Sequence, residues 1–233
     1  MGVLLGVQSH LSASLVIIAV VSIMMIVAGC KISHFLTLGV LGGTAGGIGL
    51  YILAKFFKKG GYRLTRIVSF LNPWDYAQDE GWQIIQSLYA IGSGGLFGVG
   101  LGNSKQKYLY ISEPHNDFIF AVIGEELGFT GSCITIFLLF LIVLECIITA
   151  VRARNFEGRL ICCGVAIYIG FQTFINIGVV SWILPNTGVP LPFFSCGITS
   201  LLTLFIAMGI VLNVSLQRNV ERDDDMFADD FRG

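Results

Sequence analysis

The stretch ISEPHNDFIFAVIGEELG, Ile111 to Gly128, carries five ionisable side chains: Glu113, His115, Asp117, Glu125 and Glu126. Beyond Gly128 the chain turns apolar and stays so through Val151. Carboxylates and an imidazole are the groups that take up and release protons near neutral pH. Ionisable groups leading into such a run are costly, and they usually face a cavity or a partner.

Asp117 admits two readings. After Pro114, either Asn116 or Asp117 can serve as the N-cap of the helix that follows. A capping carboxylate can also be an acid–base group. Continuing a helix from Asp117 puts Ala121, Gly124, Gly128 and Gly131 within about 40° of its direction. That column of small residues fits either close helix packing or a groove for a long lipid chain. Glu126 points to the opposite side, and Glu125 stands near a right angle.

Other polar features are weaker. The run GSGGLFGVGLG, Gly92 to Gly102, matches neither G-x-G-x-x-G nor a Walker A loop. It suits close backbone packing, or a phosphate-binding nest assisted by Lys105 and Lys107. Gln172 and Asn176 share one helical face, as interhelical hydrogen-bonding residues do. Glu145, in mid-span, is expected to pair or to face the bundle interior. The run PNTGVPLPFFSCG, Pro185 to Gly197, reads as a rigid outer loop or re-entrant turn. The six cysteines lack C-x-x-C spacing and read as small hydrophobes.

The elements that must position these groups follow from composition. The chain has 233 residues, 55% apolar and only 12% charged, where a soluble domain is about a quarter charged. This is the composition of an all-α integral membrane protein. A net charge of −1 provides no basic surface for nucleic acid. Five segments reach the ~20 residues a span needs: Leu11–Gly29, Phe35–Phe57, Gly128–Val151, Leu160–Leu184 and Ile198–Leu216. The apolar run near Met1 is read as part of a full span, not a cleaved leader. Residues 1–218 thus form one polytopic membrane domain with a large loop at about 58–117. Within that loop RLTRIVSFL, Arg63 to Leu71, suits an interfacial helix, and Trp82–Phe97 is apolar enough to dip into the interface. Residues 219–233 read as a disordered acidic tail.

Lys31, Arg152, Arg154, Arg159, Arg218 and Arg222 place the short loops and the C-terminus on the cytoplasmic side. Residues 58–117 and 181–197 then face outward. Lys58, Lys59, Arg63, Arg66, Lys105 and Lys107 are an outward exception, suited to an anionic lipid headgroup.

Several long motifs, in order, carry a resemblance. They are SHLSASLVI (9–17), RIVSFLNPWD (66–75), QSLYAIGSGGLFGVGLGNSKQKYLYISEPHNDFIFAVIGEELGF (86–129), FQTFINIG (171–178) and PNTGVPLPFFSCGITSLL (185–202). The chain resembles the SEDS family (shape, elongation, division and sporulation), and NPW and SKQK look more like its FtsW/SpoVE branch than RodA. The resemblance implies the C-terminal half of a fold of about ten membrane helices. Where the family usually has SYGG(S/T)S, this chain has Ser195-Cys196-Gly197-Ile198-Thr199-Ser200.

The resemblance further implies a peptidoglycan glycosyltransferase of the bacterial cytoplasmic membrane, polymerising glycan strands from lipid II at its outer face. The partner would be a class B penicillin-binding protein. The family's essential aspartate maps to Asp117, which would be the general base, with Glu113 and His115 supporting it. Arg63, Arg66, Lys105 and Lys107 are candidates for the substrate pyrophosphate, with Gln172 and Asn176 as further binding residues. A divalent cation is the alternative for the pyrophosphate; no metal ligand is assigned and no other cofactor is implied. Two other readings stay open: a lipid II transporter, and a non-catalytic fragment that scaffolds the transpeptidase. The concentration of polar groups at the outer edge favours chemistry there.

Overall fold

The computed structural model describes residues 11–31, 33, 69–77, 81–109 and 116–230, with only the main chain for 11–15, 108–109 and 218–230. Among these residues every regular element is helical: α1 Leu11–Val27, a 3-10 turn Pro73–Tyr76, α2 Gly81–Gly94, α3 Gln106–Leu109, α4 Ile119–Arg152, α5 Phe156–Val180 and α6 Ile198–Asp230. The second expected span, 35–57, and most of the expected interfacial helix, 63–68, lie outside the described residues.

Among the described residues three helices are long and apolar enough to cross a membrane: Ile119–Arg152, Phe156–Val180 and the Ile198–Gln217 part of α6. In lipid a chain must satisfy its own backbone polar groups, and the helix does so within one segment. Ile134, Phe137, Phe140 and Leu141 of α4 are accordingly exposed, as lipid-facing side chains are. The fold is that of an all-α, multi-pass membrane protein.

Helix α5 is central and packs against α1, α4 and α6. It runs antiparallel to α4 through the short turn at 153–155, so the start of α4 and the end of α5 lie at one end of the bundle. At that end Phe118, Ala121, Val179, Val180, Val189 and Leu191 form the main core, with Ala90 from α2. A second cluster of Cys146, Ala150, Cys162, Ala166 and Val211 holds the opposite end. All six cysteines are free; Cys146 and Cys162 are buried, whereas Cys30, Cys133 and Cys196 are exposed.

Helix α4 is two helices in sequence. Gly128 has φ 68° and ψ −163°, which breaks the helical ladder. The break frees the carbonyls of Glu125 and Glu126 and the N–H groups of Phe129 and Thr130, which would otherwise pair. All four are re-satisfied by the glycine-rich loop. Val99 and Gly100 donate to Glu125 and Glu126, each at 3.0 Å, while Phe129 and Thr130 donate to Gly95 at 2.9 Å and Leu96 at 3.1 Å. Such a swap needs close backbone approach. Gly98, at φ +80°, sits where a Cβ would run into the Glu126 carbonyl, and a Cβ on Gly94 would run into that of Gly124.

Several expectations change here. The small residues Ala121, Gly124, Gly128 and Gly131 are all buried. They do not form one column, because the helix breaks within it, and Gly94 and Gly98 lie against Gly124 and Gly128. Among the described residues close packing is what this face shows. The α4 N-cap is Phe118, with no side-chain capping bond, so neither Asn116 nor Asp117 is the cap. Glu145 is exposed on the helix surface rather than inward. The main chain of α6 continues past Asn219 to Asp230, and no Gly or Pro interrupts 210–232.

Gly98→Ala should destabilise the protein by about 2–4 kcal/mol, the sum of left-handed strain and overpacking. Gly92→Ala, where nothing lies within 4 Å of the new Cβ, should be neutral or stabilising by up to ~1 kcal/mol. Thermal unfolding of both variants in detergent micelles checks the pair.

Candidate functional site

Asp117 lies two residues before the first helical residue of α4, half-buried, next to the fully buried Phe118. Its main chain is clamped from two sides. Asn176, one turn before the end of α5, donates its amide N–H groups to the carbonyls of Asp117 and Val189, both at 2.7 Å. Ser195 donates its hydroxyl to the carbonyl of Asn116 at 2.6 Å and accepts the Leu191 N–H at 2.8 Å. The two clamps join three pieces of chain: the start of α4, the end of α5 and the 181–197 loop.

The same loop approaches the carboxylate itself. Gly188 has φ +64°, and a Cβ there would stand 3.2 Å from Asp117 Oδ2. Glycine is the residue that reaches this backbone conformation without strain and also leaves room for the carboxylate. The loop is braced elsewhere by Asn186, which donates to Gln83 Oε1 of α2 at 2.9 Å. Trp182 donates its indole N–H to the Phe70 carbonyl at 2.9 Å. Ser87 of α2 donates to the Ile84 carbonyl at 2.8 Å and lies 3.2 Å from that of Val180, at the end of α5.

Asn176 Oδ1 and Gln172 Oε1, one helical turn apart, are buried acceptors with no donor among the described residues. The Asn176 amide cannot be flipped, because its nitrogen already serves two carbonyls. Its oxygen is therefore directed away from the clamp.

A second carboxylate stands at the far end of the same half-helix. Glu125 is 3% exposed. It accepts the Ser104 hydroxyl on Oε2 and the Lys105 N–H on Oε1, the latter at 3.0 Å. Ser104 Oγ in turn accepts the Lys107 N–H at 3.1 Å. The first turn of α3 is thereby fixed to α4.

The expected site residues thus divide. Asp117 and Asn176 meet directly, through main chain rather than through the carboxylate. Gln172 lies a turn from Asn176 along α5. Lys105, exposed, and Lys107, half-buried, sit on the segment that Glu125 holds. Glu113, His115, Arg63 and Arg66 lie outside the described residues. Ser195, Gly188 and Ser104 were not picked out from sequence. The dense Pro and Gly content of 185–197 was the available signal for the first two, and nothing in the spacing marks Ser104.

The comparisons with known proteins agree with this architecture. The family model FTSW_RODA_SPOVE, described as a cell cycle protein, matches residues 1–220. The chain is 44% identical over 208 residues to stage V sporulation protein E of Bacillus subtilis (strain 168), covering 89% of this chain and 55% of that protein. It is 40% identical over 208 residues to the probable peptidoglycan glycosyltransferase FtsW of Geobacter sp. (strain M18), with the same coverage of 89% and 55%. A solved structure described as "Structural coordination of polymerization and crosslinking by a peptidoglycan synthase complex" superposes with TM-score 0.68 at 27% identity, over 93% of this chain and 58% of that one. The chain spans little more than half the length of the curated relatives it matches. It belongs to the FtsW/RodA/SpoVE family of cell cycle proteins.

Proposed function

We propose that this chain carries the catalytic carboxylate of a peptidoglycan glycosyltransferase that polymerises lipid II at the outer face of the bacterial cytoplasmic membrane. The observation that carries the reading is the clamped Asp117: a carboxylate at one end of a membrane bundle, its main chain fixed by Asn176 and Ser195. Relatives described as probable peptidoglycan glycosyltransferases support the reaction class. The basic turn at the opposite end of α4 and α5, with Arg152, Arg154 and Arg159, supports an outward-facing Asp117 and a cytoplasmic C-terminus.

In this reaction Asp117 takes the proton from the acceptor sugar's 4-hydroxyl. The freed oxygen attacks the donor's anomeric carbon, a new glycosidic bond forms, and the bond to the pyrophosphate oxygen breaks. Undecaprenyl pyrophosphate leaves with that electron pair. A base held in place before substrate arrives contributes through proximity as well as proton transfer. Lys105 and Lys107 are the described cations suited to the departing pyrophosphate, with Arg63 and Arg66 joining them. Glu113 and His115 orient Asp117. Gln172, whose acceptor meets no donor among the described residues, binds substrate from within the bundle.

A divalent cation was the alternative counter-charge. Among the described residues, which leave out Glu113 and His115, no group of three or more His, Cys, Asp or Glu side chains could hold one. No step is assigned to it. A class B penicillin-binding protein is the proposed partner, supported by the likeness to a structure of a synthase complex that coordinates polymerization and crosslinking.

Asp117→Asn should lower lipid II polymerisation by at least ~100-fold, the usual scale of a lost general base. The clamp bonds should survive in this variant, because they engage the main-chain carbonyl, and circular dichroism should show the wild-type helical fold. The assay is polymer formation in proteoliposomes, with and without a relative's N-terminal half. Full activity of Asp117→Asn would defeat the assignment. Gly188→Ala should cost about 1–3 kcal/mol of stability from backbone strain. It should also slow turnover by up to ~100-fold by displacing the carboxylate; unfolding curves and turnover on the same preparation separate the two effects.

A further inference from the structure

We infer that Glu125 is a positioning residue for the anion-binding end of the site: it fixes the Ser104–Lys107 segment so that Lys105 and Lys107 meet the pyrophosphate of the lipid-linked donor. The inference rests on the glycosyltransferase reading for the identity of the anion.

A buried carboxylate is an expensive way to hold a loop. Desolvating the charge costs several kcal/mol unless strong donors replace water. Here the donors are the Ser104 hydroxyl and the Lys105 N–H, and hydrogen bonds to charged groups are worth about 1.5–3 kcal/mol each. The relay extends to the Lys107 N–H through Ser104 Oγ. Both lysines therefore have their main chain set, directly or through one hydroxyl, by one carboxylate. The adjacent Glu126 makes no such use of its side chain: its buried Oε1 meets no donor among the described residues.

The placement of Glu125 also matters. It lies on the short half-helix that begins at Ile119, just after Asp117, and ends at the Gly128 break. From Ile119 to Glu125 the helix advances about 9 Å at 1.5 Å per residue. One rigid element thus holds the base at its start and the lysine segment near its end. Two groups that must act on opposite sides of the same breaking bond gain a fixed separation. The lysine main chain is set before substrate arrives, which reduces the ordering cost of binding.

The test is binding of undecaprenyl pyrophosphate to purified protein in detergent micelles, which needs no turnover. Glu125→Ala should bind ~10-fold or more weakly, the loss expected from one or two charge-assisted bonds. Glu125→Gln should stay within ~3-fold of wild type, since its amide can accept the Lys105 N–H and donate to the Ser104 oxygen. Ser104→Ala, a smaller change in a buried site, should weaken binding by about threefold to tenfold. In a Lys105→Ala/Lys107→Ala background, Glu125→Ala should cause no further loss, because the lysines are its only route to the ligand. A folded Glu125→Ala protein that binds as tightly as wild type would overturn the inference, as would a full additional loss in the lysine-free background. Wild type that binds the ligand but makes no polymer would count against the catalytic reading alone. Wild type that polymerises while Glu125→Ala binds normally would count against the positioning role alone.

Discussion

A break in a membrane helix has to be repaired with hydrogen bonds, and the repair at Gly128 organises the rest of this structure. Water is not available in lipid to cover a freed carbonyl or N–H. Four such groups are freed here, and residues 95–100 pair with all four. The glycine-rich loop is therefore locked against α4 by main chain, at a distance that side chains at Gly94 and Gly98 would not permit. The half-helix Ile119–Leu127 becomes a separate rigid unit, pinned at its C-terminal end by this exchange and at its N-terminal end by the clamps on Asn116 and Asp117.

Those clamps explain how a polar loop and a polar helix face become one site. Asn176 is 1% exposed, and its amide nitrogen has two carbonyl partners from different segments. Removing either partner of such a bond leaves a buried group unpaired, at about 1–3 kcal/mol. The clamps engage the main-chain carbonyls of Asp117 and Asn116 and not the Asp117 carboxylate, so they fix the backbone that carries it. Ser195 repeats the device one residue earlier. The rigid Pro185–Gly197 loop is thus part of the site rather than a mere connection.

Much of this was legible in the sequence, for reasons that can be traced. The spans show themselves because apolar length is what a bilayer demands, and α4, α5 and α6 lie where Gly128–Val151, Leu160–Leu184 and Ile198–Leu216 were expected. Asp117 stands out because a carboxylate beside an apolar run is costly without a purpose. The break at Gly128 was not legible. Glycine is common in membrane helices, and whether one breaks the helix depends on donors and acceptors supplied by residues about thirty positions earlier. The column of small residues beneath Asp117 failed for the same reason, since it assumed an unbroken wheel. Gln172 and Asn176 were seen as a polar face, but the target of Asn176 is a loop whose path no periodicity encodes. Glu125 was indistinguishable from Glu126 in sequence; only the fold shows that one meets Ser104 and the other does not.

The most direct test is the turnover of Asn176→Leu, which keeps the size of the side chain, keeps the Asp117 carboxylate and removes both clamp bonds. Lipid II polymerisation should fall by ~100-fold, as misplacing a reacting group by about an ångström does, in protein that still shows its helical circular dichroism. Folded Asn176→Leu protein with wild-type turnover would contradict the claim that main-chain clamping positions Asp117 as the proposed base.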